Sequence, residues 1–165
     1  MRILFVGYLW QGSTSLQRMN ALRDLGHDVT PVDLTPPDRA RERRLSSRVL
    51  YRLGFPLDFA GVNRLVPKHI SNSRFNVLWV EKGLTISPET LTTVKNSNPE
   101  CRLVFFSPDN MLYRKNQSRR YLAGLPLYDL HVTTKSHNVD GLGSLGAKDV
   151  LFVNKSFDPA THRPI

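Results

Sequence analysis

Short apolar runs alternate with helix-like stretches along most of this chain. Arg2–Gly7 (RILFVG) is almost continuously apolar and ends on glycine, the pattern of a strand buried on both faces. A helix should follow: Ser13 or Thr14 can cap its first turn, Leu16, Met19, Ala21, Leu22 and Leu25 supply one side, and Gly26 can stop it. Asp28–Asp33 (DVTPVD) reads as a second strand, and its Pro31 favours an edge or an end. The next segment is less regular. A helix is predicted over Asp38–Leu53, with Leu45, Val49 and Leu53 at i, i+4 and i+8, and another from about Phe59 to Asn72. Regularity returns with four more strands at Phe75–Val80, Cys101–Phe106, Leu130–Thr134 and Val150–Asn154. Between them, helices are predicted after Ser87 with Pro88 at the first position, around Gln117–Ala123, and over Ser136–Leu145, where Gly141 and Gly143 weaken the pattern.

Six strands alternating with helices predict a three-layer, doubly wound α/β sheet of mostly parallel strands. Ligands of such sheets bind beyond the carboxyl ends of the strands, where helix N-termini offer unpaired N–H groups. The segments to inspect are therefore residues 7–15, Asp33, 81–83, 107–118, 134–138 and 154–156.

Composition narrows the class. A chain of 165 residues has the size of one domain and can bury about two-thirds of its unfolded surface without staples. Cys101 is the single cysteine and no Cys/His spacing matches a zinc motif, so a disulfide scaffold and a zinc module are set aside and a reducing, cytoplasmic setting is expected. No run approaches the roughly 20 apolar residues of a membrane span. The opening MRILFVGYLW has too short an apolar run for a signal peptide and lacks a small-residue cleavage site. The net charge of +9 is concentrated: residues 38–54 hold six Arg against two acids, residues 114–120 hold four bases and no acid, and the remainder is close to neutral.

Known motifs fit poorly. GYLWQGST has the two glycines of a P-loop, Gly7 and Gly12, but Ser13 stands where its lysine belongs, and no G-x-G-x-x-G is present. What remains is a loop, Gly12-Ser13-Thr14, that opens a helix and either binds an anion or sugar hydroxyl or simply caps that helix. Asp33 sits where dinucleotide-binding folds place a ribose-binding acid. Glu81 and Lys82 place opposite charges at a strand exit, either for a ligand or for each other. Asp109 in SPDN could deprotonate an acceptor hydroxyl, or serve as a turn residue. Arg119 and Arg120 lie in a first helical turn, against the helix dipole, so they serve either an anionic ligand or partner or simple solvation. No Ser-His-Asp or Cys-His arrangement can be traced.

Four stretches carry a resemblance: RILFVGYLWQGSTSLQRMNALRDLGHDVTPVD, VLWVEKG, VFFSPDNM followed by KNQSRRYL, and YDLHVTTKSHNVDGLGSLGAKDVLFVNKSFDPATHRP. Together they resemble the N-terminal half of the CgeB-like glycosyltransferases, bacterial enzymes named for a spore-maturation protein and similar to family 1 and family 4 transferases of the GT-B type. The resemblance implies a Rossmann-like acceptor-side domain over residues 1–156, the start of an interdomain linker over residues 157–165, and a second, donor-binding domain that these residues do not include. It implies a glycan, lipid-linked or protein acceptor, a UDP- or GDP-sugar donor in the full-length enzyme, no cofactor held by this domain and no metal. Carried onto this sequence, the cleft residues would be Gly12, Ser13, Thr14, Lys82, Asp109, Asn116, Ser118, Lys135 and Asn138, joined by Glu81 and Arg119 from the motif reading. The family often has a second acid where Asn110 stands, a departure that weakens Asp109 as the base; Asn110 is counted as a further contact and Asp109 as the candidate base.

A rival reading is a stand-alone basic α/β module for an anionic partner. The basic segments lack the interleaved aromatics of single-strand binders, so an anionic membrane surface at the cytoplasmic face or a phosphate-bearing glycan acceptor is favoured over nucleic acid, with only marginal membrane affinity expected from an apolar stripe three or four residues wide. A response-regulator-like domain is set aside, since the first strand ends in Gly7-Tyr8 rather than in acids.

Overall fold

The computed structural model describes residues 1–37 and 44–158. Six strands, β1 (Arg2–Gly7), β2 (Asp28–Asp33), β3 (Val77–Glu81), β4 (Arg102–Ser107), β5 (Leu130–Thr133) and β6 (Val150–Phe152), form one sheet of order β2-β1-β3-β4-β5-β6. Every neighbouring pair is parallel, so the expected mostly parallel sheet is wholly parallel. Among the described residues, six α-helices connect the strands: α1 (Thr14–Asp24), α2 (Leu45–Arg52), α3 (Val62–Asn72), α4 (Pro88–Ser97), α5 (Arg119–Gly124) and α6 (Asn138–Ser144). The fold is a three-layer, Rossmann-like α/β sheet.

Strand alternation sorts the core into two faces. Leu4, Val6, Leu78, Val80, Leu103 and Phe105 pack with Val62, Val66 and Ile70 of α3, Leu91 and Val94 of α4, Tyr121 of α5 and Leu142 of α6. On the other face, Ile3, Phe5 and Val29 pack with Met19, Leu16 and Leu22 of α1. Farther along that second face, Val104, Phe106 and Val132 cluster with Trp79, Leu130 and Val153, and no helical residue belongs to the cluster. The central strands are therefore apolar on both sides, which is why their sequences read as runs rather than as alternations.

Local chemistry explains most boundaries. Pro31 lies in the edge strand β2, where a missing N–H costs no ladder bond on the open side. Ser13 and Ser87 cap α1 and α4 by accepting from the N–H groups of Leu16 and Thr90, and Pro88 opens α4. Helix α3 starts three residues later than expected: Gly61 turns the chain in the left-handed region, and Asp58 accepts the N–H groups of Val62 and Asn63 at 2.9 Å each in place of a cap. Strand β3 runs on to Glu81, paired in register with Phe106. The expected helix over Asp38–Leu53 is observed as Leu45–Arg52; residues 38–43 lie outside the described part. The expected linker is in the same position, with residues 159–165 outside it and residues 153–158 without regular structure. Among the described residues no helix is long and apolar enough to cross a membrane.

Among the described residues, one histidine lies in the core. His131 on β5 is fully buried among Phe105, Tyr121 and Tyr128, with ring centroids 5.5, 6.2 and 5.4 Å away, and neither ring nitrogen has a hydrogen-bond partner. Burial disfavours the imidazolium and pushes the pKa down to about 4. Because the folded value lies below the unfolded one, near 6.5, this group's full contribution is present above pH 6.5 and is lost as the pH falls towards 4. Denaturant titrations from pH 7.5 to 4.5 should show stability falling by up to about 3 kcal/mol from this residue. His131→Phe should remove that part of the slope.

Candidate functional site

β1 and β3 are neighbours, yet the helices that follow them, α1 and α4, lie on opposite faces of the sheet. This is a topological switch point, where the loops leaving two strands diverge and open a crevice. A crevice of about 350 Å³ is found there, lined by Tyr8, Trp10, Gly12, Ser13, Thr14 and Ser15 after β1, Glu81 at the end of β3 and Lys82 after it, and Phe106 of β4 with Pro108 and Asp109 beyond that strand, with Arg18 reaching in from α1.

Each loop is shaped by identifiable bonds. Ser13 donates its hydroxyl to the Tyr8 carbonyl at 2.6 Å and accepts the Leu16 N–H, while Gly12 takes φ +87, so the loop folds into a tight turn at the mouth of α1. Asp33 Oδ1 accepts the N–H groups of Leu9 and Thr35 and fixes the loop from β2. The exit from β3 turns sharply: Lys82 is the single non-glycine residue with positive φ among the described residues, at +44. A Cβ on the next residue, Gly83, would lie 2.5 Å from Val80 Cγ1 and 2.9 Å from Ile86 Cδ1, so only glycine fits. The strained turn aims the Lys82 ammonium at Asp109, and the two form an ion pair.

The two strand-exit charges have different roles. Glu81 is buried and accepts from Ser15 Oγ at 2.6 Å, Arg18 Nε at 2.5 Å, Arg18 Nη2 at 3.2 Å and Trp79 Nε1 at 3.3 Å. Arg18 also covers the Phe106 ring at 4.1 Å. Neither sequence alternative for Glu81, a ligand contact or an ion pair with Lys82, describes this; its acceptor capacity is spent on α1 and Trp79. Lys82 and Asp109 are about one-third exposed and face the opening.

Several expected contacts lie elsewhere. Asn138 is buried, accepts the Met111 N–H, and donates to Asp109 O and Thr133 Oγ1 at 2.8 Å each, so it anchors the SPDN loop from within. Ser118 is buried as the cap of α5 and donates to the Leu84 carbonyl. Asn116 donates to the Asn110 carbonyl, and the Asn110 side chain accepts the Leu112 N–H, which closes a local loop. Lys135, after β5, donates its backbone N–H to Thr133 Oγ1 and does not line the crevice. Arg119 stacks on Phe55 at 4.8 Å, on a different surface. The crevice therefore unites Gly12, Ser13, Thr14, Glu81, Lys82 and Asp109, and leaves out Asn110, Asn116, Ser118, Arg119, Lys135 and Asn138.

Sequence reasoning passed over Arg18, Tyr8 and Trp10. Arg18 sits one turn beyond Thr14 and Ser15, so i+3/i+4 spacing from the loop was a usable signal. Tyr8 and Trp10 lie within the inspected window, and large aromatics exposed beside a strand exit were the cue. Among the described residues, no group of three or more His, Cys, Asp or Glu side chains is placed to hold a metal ion. The chemistry on offer is one carboxylate, one ammonium and the N–H groups of the first turn of α1, which suits binding a polar, hydroxyl-bearing molecule.

No protein-family model matches the chain, and no curated protein matches it.

Two substitutions separate the supports of the crevice. Arg18→Met strands a buried carboxylate and should cost about 3 kcal/mol of unfolding free energy; Glu81→Gln keeps the Ser15 and Trp79 partners and should cost about 1–2 kcal/mol. Gly83→Ala should cost about 1–3 kcal/mol by overpacking Val80 and Ile86. Chemical denaturation curves of the three variants check the order.

Proposed function

We propose that this chain is the acceptor-side domain of a nucleotide-sugar-dependent glycosyltransferase of the GT-B type, related to the CgeB-like enzymes. The observation that supports this reading most is the crevice at the β1/β3 switch point, with the Lys82–Asp109 pair at its opening. In this reading Asp109 takes the proton of the acceptor hydroxyl as it attacks the sugar, and Lys82 orients the carboxylate. Asn138 holds the Asp109 backbone and acts as a positioning residue. The N–H groups of Thr14 and Ser15 at the start of α1 have no acceptor within the helix and would receive acceptor oxygens. The donor, a UDP- or GDP-sugar, would bind on a second domain, and the departing phosphate would be stabilised by cations and N–H dipoles without metal. A bacterial, cytoplasmic enzyme working at the inner face of a membrane completes the proposal.

A second reading, a stand-alone basic module for an anionic partner, is favoured by the meeting of the two basic segments: the Arg119 N–H donates to the Gly54 carbonyl at 2.8 Å and Tyr51 Oη to the Lys115 carbonyl at 3.4 Å.

Co-expression with a donor-binding partner domain, followed by transfer and hydrolysis assays with UDP- and GDP-sugars, tests the first reading. Transfer should appear and fall about 10²–10⁴-fold in Asp109→Asn while donor binding persists. If the assembly neither binds nor hydrolyses any sugar nucleotide, the enzyme reading fails and the module reading stands.

A further inference from the structure

Helix α2 is built inside out. Leu45, Val49 and Leu53, spaced to form one stripe, are 75%, 46% and 52% exposed, while the buried residue of the helix is Ser47. Helices that serve only the core present the reverse pattern, so the outward stripe needs an occupant. Beside it runs a second stripe of Arg44, Arg48 and Arg52, all exposed.

The fold extends this surface with a segment some 60 residues away in sequence. Residues 53–57 leave α2 and pack against the start of α5: Arg119 donates its N–H to Gly54 O, its guanidinium covers Phe55, and Arg120 Nη1 reaches the carbonyls of Pro56 and Thr85. Tyr51 Oη bonds the Lys115 carbonyl, and the Lys115 ammonium lies 5.7 Å from the exposed Tyr113 ring. The two adjoining segments thus carry six exposed cations, Arg44, Arg48, Arg52, Arg114, Lys115 and Arg119, next to the apolar stripe. No acid occurs in residues 44–57 or 110–128.

We infer that this face docks the protein onto a lipid membrane that carries anionic headgroups. The charges would meet the phosphates, and Leu45, Val49, Leu53 and the exposed Phe55 and Leu57 would enter the boundary with the acyl chains. A nucleic acid duplex would satisfy the cations and leave the leucines in water. A second copy would set six cations against six. An anionic membrane satisfies both halves of the surface at once.

Tyr8 lines both the candidate site and a hollow of about 390 Å³ between α2 and the sheet edge, which Arg48, Tyr51, Pro56 and Leu57 also line. Tyr8 thus joins the crevice to the hollow behind the docking helix. The docking does not depend on the transferase reading; combined with it, the acceptor belongs to the lipid-linked class.

The test is co-sedimentation with vesicles of phosphatidylcholine alone and of phosphatidylcholine mixed with phosphatidylglycerol, at near-physiological salt and without any sugar donor, so that its outcome is independent of the transfer assay. Binding is expected for the anionic vesicles only. Arg48→Gln with Arg52→Gln should lower the partition coefficient about 25-fold, at about fivefold per cation. Leu45→Gln with Leu53→Gln, which leaves every charge in place, should lower it about tenfold or more, and Val49→Gln severalfold. Circular dichroism matching the parent chain shows that these exposed substitutions leave the fold intact. Equal binding to neutral and anionic vesicles, no binding to either, or unchanged partition of the two leucine-stripe variants would overturn the proposal. Displacement from vesicles by a DNA duplex that the leucine variants still bind would overturn it in favour of nucleic acid.

Discussion

The buried carboxylate of Glu81 is the interaction on which the candidate site depends. A buried carboxylate at the carboxyl end of a parallel sheet needs partners for its oxygens, and four donor groups from Ser15, Arg18 and Trp79 supply them. Two of the residues that supply them belong to α1, so the same bonds fix the first turn of that helix against β3. The loop between β1 and α1 is then held at both ends, by the strand and by Glu81. Opposite it, the chain must reverse at once after Glu81, and the crowded Gly83 forces Lys82 into the left-handed region and towards Asp109. The crevice is the space left between a carboxylate that is fully satisfied and one that faces solvent.

Most polar residues near the strand exits work for the fold. Asn138, Ser118, Asn116 and Ser13 each complete backbone hydrogen bonds that a loop around a parallel sheet would otherwise leave unmet. This division of labour makes the site small: a satisfied scaffold, and a few groups at its rim. The basic face on α2 is a separate structure with its own logic, tied to the site through Tyr8 and the hollow behind that helix.

The fold was legible because its signals are local and repeated. Arg2–Gly7 and Asp28–Asp33 were readable to the residue, since an apolar run ending in Gly and a short run bounded by Asp at both ends each mark their own limits. The caps Ser13 and Ser87 and the start at Pro88 were equally plain. The site was legible only as a set of windows. Within them, sequence cannot separate a hydroxyl that caps a helix from one that meets a ligand, because both uses ask for the same residue at the same position. Ser118 fell to the first use, Asn138 anchors the SPDN loop from within, and Lys82 and Asp109 face the crevice.

By itself the sequence determined the alternating strands and helices, the restriction of Pro31 to an edge or an end, the concentration of charge in two segments and the apolar spacing on α2. Those properties depend on neighbours a few residues apart, which the chain carries in its order. Tertiary structure alone decided that Glu81 pairs with Arg18 and not with Lys82, that Lys82 meets Asp109, and that the leucines of α2 face outwards beside cations from a segment some 60 residues away. Each of these is a choice among partners distant in the chain. It is settled by which strands lie side by side and by what can be buried without an unpaired charge.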